Sequence, residues 1–512
     1  MTVDRLESDV VVVGAGPAGL MLAGELRLGG ADVVVLDRRE GPTTQSRAST
    51  LHARTMEILD ARGLLGALDG PPCETRGHFG GLPLDLTLPG AHPGQHKVPQ
   101  TRTEQLLGDW AAGLGARLRR RHEVRAVRAG TLGVEVVAAG PTGPVRVRAR
   151  YLVACDGQDS TVRRLTGAAF PGQDATRELL RADVAGIDIP DRRFERLPGG
   201  LAIAARRADG VTRVMVHEFG VRAQERAGEP EFAEVCAAWQ RVTGEDIGAG
   251  TPLWVNAFGD ACRQVARYRQ GRVLFAGDAA HQQMPIGGQA LNLGLQDAVN
   301  LGWKLAAVAR GRAPHTLLDS YHDERHAVGR RVLDNIRTQA QLLLGGAEAA
   351  SLRALMGELL QREDVRRHLA GMISGVDVRH AMGPGEHPLL GGRLPHARLA
   401  VGHEVRSGAQ LLRAGRGVLL TLHPAAAALH AEAAPWADRV SPVAARCADG
   451  VQGALHGVEA LLVRPDGHVA WVRPGSTASL REALACWFGA PRPAPAAAEG
   501  RSPALSPAVF GE

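Results

Sequence analysis

Two glycine-rich stretches, one near the N-terminus and one past the middle of the chain, carry the residues best suited to chemistry. The first, VVVGAGPAGL, places Gly14, Gly16 and Gly19 in G-x-G-x-x-G spacing. Glycines at that spacing between an apolar strand and a helix let backbone approach a pyrophosphate, whose charge the unpaired N–H groups and the helix dipole favour. The next apolar run, ADVVVLD, ends in Asp37, followed by Arg38. A carboxylate there reaches a ribose hydroxyl pair. The second stretch, GRVLFAGDAAHQQMPIGGQALNLGLQDA, delivers Gly277 and Asp278 from a strand end, then His281, Pro285, Gly287 and Gly288, and opens a helix at Leu291 and Asn292. Asp278 suits a ribityl or ribose hydroxyl, and free N–H groups around Leu291 and Asn292 suit an electron-rich ring edge.

The elements that must position these groups follow from periodicity. Buried strands are expected at residues 10–13 and 273–276, the latter feeding a helix in which Leu291, Leu295, Val299 and Trp303 recur at intervals of four. From 170 to 266 the pattern alternates apolar and polar, with a hairpin turn at Asp209 and Gly210, so an inserted β-sheet domain is expected. Its inward face, with Met215, His217 and Phe219, is expected to roof a pocket. His217 alone reads as a strand histidine, and Trp254 and Phe258 as packing residues. The Pro/Gly cluster GPGEHPLLGGRLP reads as a linker, and the strand, DG-turned hairpin and helix after it as a further domain. The Pro/Ala-rich tail from 491 to 512 reads as disordered.

Composition excludes several classes. The net charge of +6 could suggest nucleic acid, but lysine occurs only at 97 and 304, and the densest basic run, RLRRRHEVRAVR, lacks interleaved aromatics. No run is long enough for a membrane helix, and the N-terminus has no basic n-region, so a soluble cytoplasmic protein is expected. The six cysteines form no CxxC pair, so neither a metal site nor dithiol redox chemistry is indicated.

Together with a third stretch, YLVACDGQDSTVRR, which carries Asp156 and Gly157, these motifs resemble the class A FAD-dependent aromatic monooxygenases of the para-hydroxybenzoate hydroxylase fold. SRASTLHARTMEILDARG, RGHFGGLPLDL, VPQTRTEQLLGDWA, SYHDERHAVG and ALLVRPDGHVAWVRPG resemble bacterial aromatic polyketide hydroxylases acting on angucyclinones and anthracyclinones. The resemblance implies an α/β FAD-binding Rossmann-like domain in two parts (1–169 and 267–382, the second with closing helices), a β-sheet substrate domain (170–266) and a thioredoxin-like domain (395–490) without CxxC. It implies that the first glycine motif holds the ADP half of FAD and the second completes the flavin half. Asp156 and Gly157 would then lie where the FAD and NAD(P)H sites meet. Arg47 would contact the ADP portion or NADPH phosphates, Gln100 and the backbone at Val124 would line the FAD groove, and Arg54 would project toward flavin and substrate. Pro285 would present its carbonyl at the flavin edge, and His281 would brace the loop or relay a proton.

The implied reaction is NADPH (or NADH) reduction of FAD, reaction with O2 to a C4a-hydroperoxide, and hydroxylation of a polycyclic aromatic polyketide in antibiotic biosynthesis. Baeyer–Villiger oxidation of a polyketide ketone, and a flavin oxidase or dehydrogenase of the same fold, remain as alternatives. The halogenase WxWxIP signature is missing, and Lys304 falls within a helical pattern. Expected partners are a small polycyclic substrate, no nucleic acid and no membrane; the chain is read as a monomer or homodimer.

Overall fold

The computed structural model describes residues 4–43, 48–226, 228–448 and 453–492. The expectations for Arg47 and for nearly all of the tail lie outside the described residues. Strand Asp4–Val13 is the centre of an eight-stranded sheet. It pairs in parallel with Val33–Leu36 on one side and Gly143–Ala154 on the other. Val273–Phe275 adds in parallel beyond Gly143–Ala154, and Arg117–Arg119 beyond Val33–Leu36. Strands covered on both faces must be apolar throughout, and Val10, Val11, Val12, Val33, Val34 and Val35 are all fully buried.

Helix Pro17–Leu28 lies against the long helix Gln289–Ala309. Their approach needs glycine: a Cβ on Gly302 would sit 2.3 Å from the Glu25 side chain. The two glycine-rich stretches are therefore neighbours in space because the helices that follow them pack together.

The inserted sheet is antiparallel, in the order Arg192–Leu197, Gly200–Arg206, Thr212–Glu218, Glu178–Ala185, Thr251–Gly259. Its turn holds Asp209 and Gly210, with Gly210 at φ 81. Helix Phe232–Thr243, which the strand-like alternation did not announce, buries one face through Val235, Ala238 and Trp239 against Ala182, Val214 and Val216. The opposite face turns toward the nucleotide-binding half.

Helices Asp319–Leu344, Ala350–Leu359 and Glu363–Ser374 close the catalytic part. The Pro/Gly cluster is not the spacer expected from its composition. Gly391 donates its N–H to the Val469 carbonyl, Leu394 donates to Gly467, and Leu389 is buried. Its glycines and prolines shape a docked crossing. Beyond it lies a sheet in the order Val440–Ala444, Gly417–Thr421, Ala460–Val463, Val469–Arg473, closed by helix Leu480–Phe488 with a Ser479/Glu482 capping box. The expected hairpin is the last strand pair, but its turn, 464–468, is buried against the long helix. Among the described residues no helix is long and apolar enough to cross a membrane, and no group of three metal-ligating side chains occurs.

Candidate FAD and substrate site

The three N-terminal glycines do different work. Gly14 has φ 104, and a Cβ there would lie 2.2 Å from the Cys155 carbonyl oxygen. A Cβ on Gly19 would lie 1.9 Å from the Gly14 oxygen. Both exist for close packing. Gly16 is open, with no atom within 4 Å of an added Cβ, and it precedes a helix that has no side-chain cap. The first-turn N–H groups are left for a ligand in that opening. Asp37 is buried and accepts the N–H groups of Ala15 at 2.6 Å and Arg39 at 2.7 Å, which fastens the glycine turn to the second strand. Arg38 is exposed beside it.

Gln100 opens helix Gln100–Gly113, donating its backbone N–H to the Ala48 carbonyl at 2.9 Å and its amide to Glu104 at 3.0 Å. Glu104 in turn accepts the Thr43 N–H. Val124 buries its side chain in the core, and the neighbouring His122 donates its N–H to the Asp37 carbonyl. Asp156 accepts from the Ser160 hydroxyl and the Val162 N–H, closing the first turn of helix Thr161–Leu165. Burial raises its carboxyl pKa against those hydrogen bonds. Gly157 has φ 84 and open space around its Cα.

The second glycine-rich stretch meets the first directly. Gly277, at φ 61, stands over Ala18, whose Cβ would be 3.0 Å from an added Cβ, and Gly294 backs it. Asp278 is exposed on the one-turn helix Gly277–Ala279. A residue the sequence reading passed over, Asp297, holds this turn from beneath. It is fully buried and accepts from Arg325 Nε at 2.7 Å, His281 Nε2 at 2.9 Å and the Gly277 N–H at 3.2 Å. Burial would raise its carboxyl, but Arg325 and His281 hold it below the usual range. Of the two expectations for His281, its fully buried ring, 2.9 Å from Asp297, favours bracing of the turn.

Pro285 is exposed at the tip of the loop, and Gly287 and Gly288 follow at φ 64 and 69. Asn292 clamps the loop to strand Thr50–His52: its amide donates to the carbonyls of Gly288 (2.7 Å) and Thr50 (3.0 Å), and its oxygen accepts the His52 N–H (2.9 Å). The expectation that Asn292 faces a ring edge therefore rests on its backbone alone. Leu291 is half-buried against the main core. His52, in a stretch quoted only for family likeness, has Nε2 2.7 Å from the Gly287 carbonyl. Burial lowers its pKa to about 4, so the neutral ring donates from Nε2. Arg54 is the larger correction. Its guanidinium donates to Glu57 (3.1 Å) and to the Asp466 carbonyl (2.6 Å), which directs it into the C-terminal domain contact. The helical turn beginning at Ala53 separates its direction from that of His52.

On the substrate side, Met215, Phe219 and Phe258 join Leu179, Leu201, Met284 and Ile286 in one apolar cluster, so the inner sheet face does meet the flavin-edge loop. His217 does not offer its ring to a ligand: its nitrogens lie 2.8 Å from the Glu178 carbonyl and 3.2 Å from that of Leu344.

The C-terminal domain reaches the same helices through charge. Arg464 forks onto Glu324 at 2.7 and 2.8 Å, and Lys304 meets that carboxylate at 3.0 Å. Asp466 pairs with Arg464 and accepts from Trp303 Nε1 at 3.3 Å. Two cations and two carboxylates thus sit together without solvent. Burial opposes every charge, yet Arg464 and Lys304 hold Glu324 well below its ordinary range, while burial lowers Lys304 to about 8.

The open Gly16 cradle, the Gly277–Asp278 turn against Ala18 and the 285–288 loop fit one elongated dinucleotide with a ring at its far end. Fold and site define an FAD-binding protein of the doubly wound α/β class. The FAD binding domain family model matches residues 7–336, and the aromatic-ring hydroxylase C-terminal model matches 387–491. The chain is similar to a 12-dehydrotetracycline 5-monooxygenase/anhydrotetracycline 6-monooxygenase of Streptomyces rimosus, 44% identical over 94% of this chain and 99% of the relative. It is 42% identical to a rifampicin monooxygenase of Streptomyces venezuelae over 94% and 99% of the two chains. Among solved structures, CabE, an aromatic hydroxylase from angucycline biosynthesis, is 51% identical with a TM-score of 0.92, covering 95% of this chain and 100% of CabE. The chain belongs to the FAD-dependent aromatic hydroxylases, with the fold of para-hydroxybenzoate hydroxylase.

Proposed function

We propose that this chain uses NADPH (or NADH) and O2 to place one hydroxyl on a ring carbon of a polycyclic aromatic polyketide. The observation that carries the reading is the meeting of the FAD cradle with an apolar sheet face at the 284–288 loop. FAD, when bound, supplies electron transfer from the nicotinamide and activation of oxygen. The protein's part is placement. Gly16 and the helix behind it would hold the pyrophosphate, Asp37 the adenosine ribose, and Asp278 with Gly277 the ribityl chain. Asp156 and Gly157, beside Gly14, would flank the nicotinamide approach. His52 and Asn292 fix the Gly287–Gly288 backbone that would meet the ring. Pro285 remains the residue proposed to orient a substrate hydroxyl, since it is exposed at the loop tip. Met215, Phe219, Met284 and Ile286 exclude water from the reacting pair. A reducing cytoplasm without dithiol chemistry is part of this reading, since the cysteines have no CxxC spacing.

The test is turnover of the FAD-loaded protein with NADPH and ¹⁸O2 against tetracyclic hydroxyquinones. One labelled hydroxyl on an intact skeleton is expected. A labelled lactone as main product replaces this reading with Baeyer–Villiger oxidation, and an oxidised product without label replaces it with an oxidase or dehydrogenase.

A further inference from the structure

We propose that the side-chain amide of Gln289 is a preset hydrogen-bond donor to a ring carbonyl bound at the Gly287 loop, its polarity fixed by a chain of buried amides. This rests on the reading above and adds the group by which a ring is held. Gln289 opens the helix that follows the loop and is 3% exposed. Its Nε2 meets no partner among the described residues. A buried donor without an acceptor is costly, and a ligand that brings one removes the cost.

The polarity is set at the far end of the chain. Gly80, in the turn between strands Arg76–Phe79 and Leu82–Asp85, is held by Arg353, whose guanidinium donates to its carbonyl at 2.9 Å. The Gly80 N–H can only donate, and it meets Gln339 Oε1 at 3.1 Å. Gln339 Nε2 is thereby turned to Asn335, one helical turn back, and donates to its Oδ1 at 3.0 Å. Asn335 is left to donate from Nδ2 to Gln289 Oε1, at 3.4 Å. Both links are buried. An amide has one accepting end and one donating end, so each link sets the next, and Gln289 turns its NH2 group outward.

That group stands beside the loop. A Cβ added to Gly287 would lie 3.6 Å from Gln289 Nε2 and 3.9 Å from Gln339 Oε1. Two flat ligands of the proposed reaction bring ring carbonyls to this place, the flavin and a quinonoid substrate. The competing occupant is water: Gln289 and Asn335 also line a cavity of about 20 Å³ against helix Glu363–Ser374, room for one molecule.

The experiment compares wild type with Q289M, which keeps the length of the side chain and removes its amide, in two arms. FAD is titrated into the apoprotein, and alizarin, a dihydroxyanthraquinone, into the FAD-loaded protein with the flavin absorbance shift as signal. Difference infrared spectra report the carbonyls of each ligand. One ligand is expected to bind about tenfold more weakly to Q289M, with its carbonyl band moved to higher frequency. Loss in the FAD arm names the flavin as acceptor, and loss in the alizarin arm names the substrate. Should Q289M fail to fold, Q289N, which draws the amide back by one methylene, is read in the same way. Wild-type affinity for both ligands assigns the donor to water and overturns the proposal. Lost affinity with no carbonyl band moved is a loosened loop and overturns it as well. Wild-type protein that binds FAD but not alizarin overturns the polycyclic-substrate reading, and the FAD arm alone then decides this inference.

Discussion

The glycine cradle and the contact under the C-terminal hairpin are built on opposite principles. At the cradle side chains are removed: Gly16 faces open space, and Gly14 and Gly19 remove the Cβ atoms that would keep backbones apart. At the hairpin turn side chains fill everything: Arg464 and Lys304 have no exposure, and each meets a carboxylate. One region keeps polar backbone available for a ligand. The other spends all of its polarity on itself. The difference teaches that buried charge marks attachment here, and unspent backbone marks function.

Breaking the hairpin contact should have the largest effect. Glu324→Leu leaves Arg464 and Lys304 without their shared partner, and removing one member of a buried pair costs about 3–5 kcal/mol. Urea unfolding should show that loss, and a change below about 1 kcal/mol would remove the network from the stability of the fold.

Acid should then act on both regions through histidine. Burial holds His52 at the cradle and His468 at the hairpin turn at about 4. Between their unfolded value near 6.5 and 4 the unfolded chain binds more protons, so stability falls as pH drops through that window, by up to roughly 3 kcal/mol per ring. Unfolding of His52→Asn and His468→Gln at several pH values should show each flattening that slope. An unchanged slope in either variant would exempt its region.

The cradle itself is separated from mere packing by Gly16→Ala. Its φ of −81 suits alanine, and no protein atom meets the new Cβ. The apoprotein should keep its unfolding midpoint while FAD affinity falls about tenfold or more, roughly 1.4 kcal/mol. Retention of FAD at wild-type affinity would contradict the assignment. The smallest effect is expected from replacing Cys447 and Cys486 by serine. They lie in a short strand and in a helix of the C-terminal domain. Turnover measured as NADPH oxidation should stay within about threefold, since such changes seldom cost more than about 1 kcal/mol; a larger loss would give that domain a redox part.

The sequence by itself determined the parts whose cause is local. Glycine spacing after an apolar run specifies a strand–turn–helix because glycine allows the positive φ of Gly14, Gly277, Gly287 and Gly288 and the close contacts of Gly14 and Gly19, so the cradle and the Gly277–Gly288 loop were legible. Alternation likewise announced the inserted sheet and the Asp209–Gly210 turn. Local pattern could not say where a charged side chain ends. Arg54 reads as a flavin-side cation until the helix start turns it toward the Asp466 carbonyl. His281 reads as a loop brace or a proton relay, and the partner of its ring, Asp297 on the next helix, is visible only in the fold. Glu324 and Arg464 lie in stretches quoted only for family likeness, and nothing in their spacing pairs them. Their roles arise from strand register and helix packing between distant segments, and only the tertiary structure decides which buried charges meet a partner and which face a ligand.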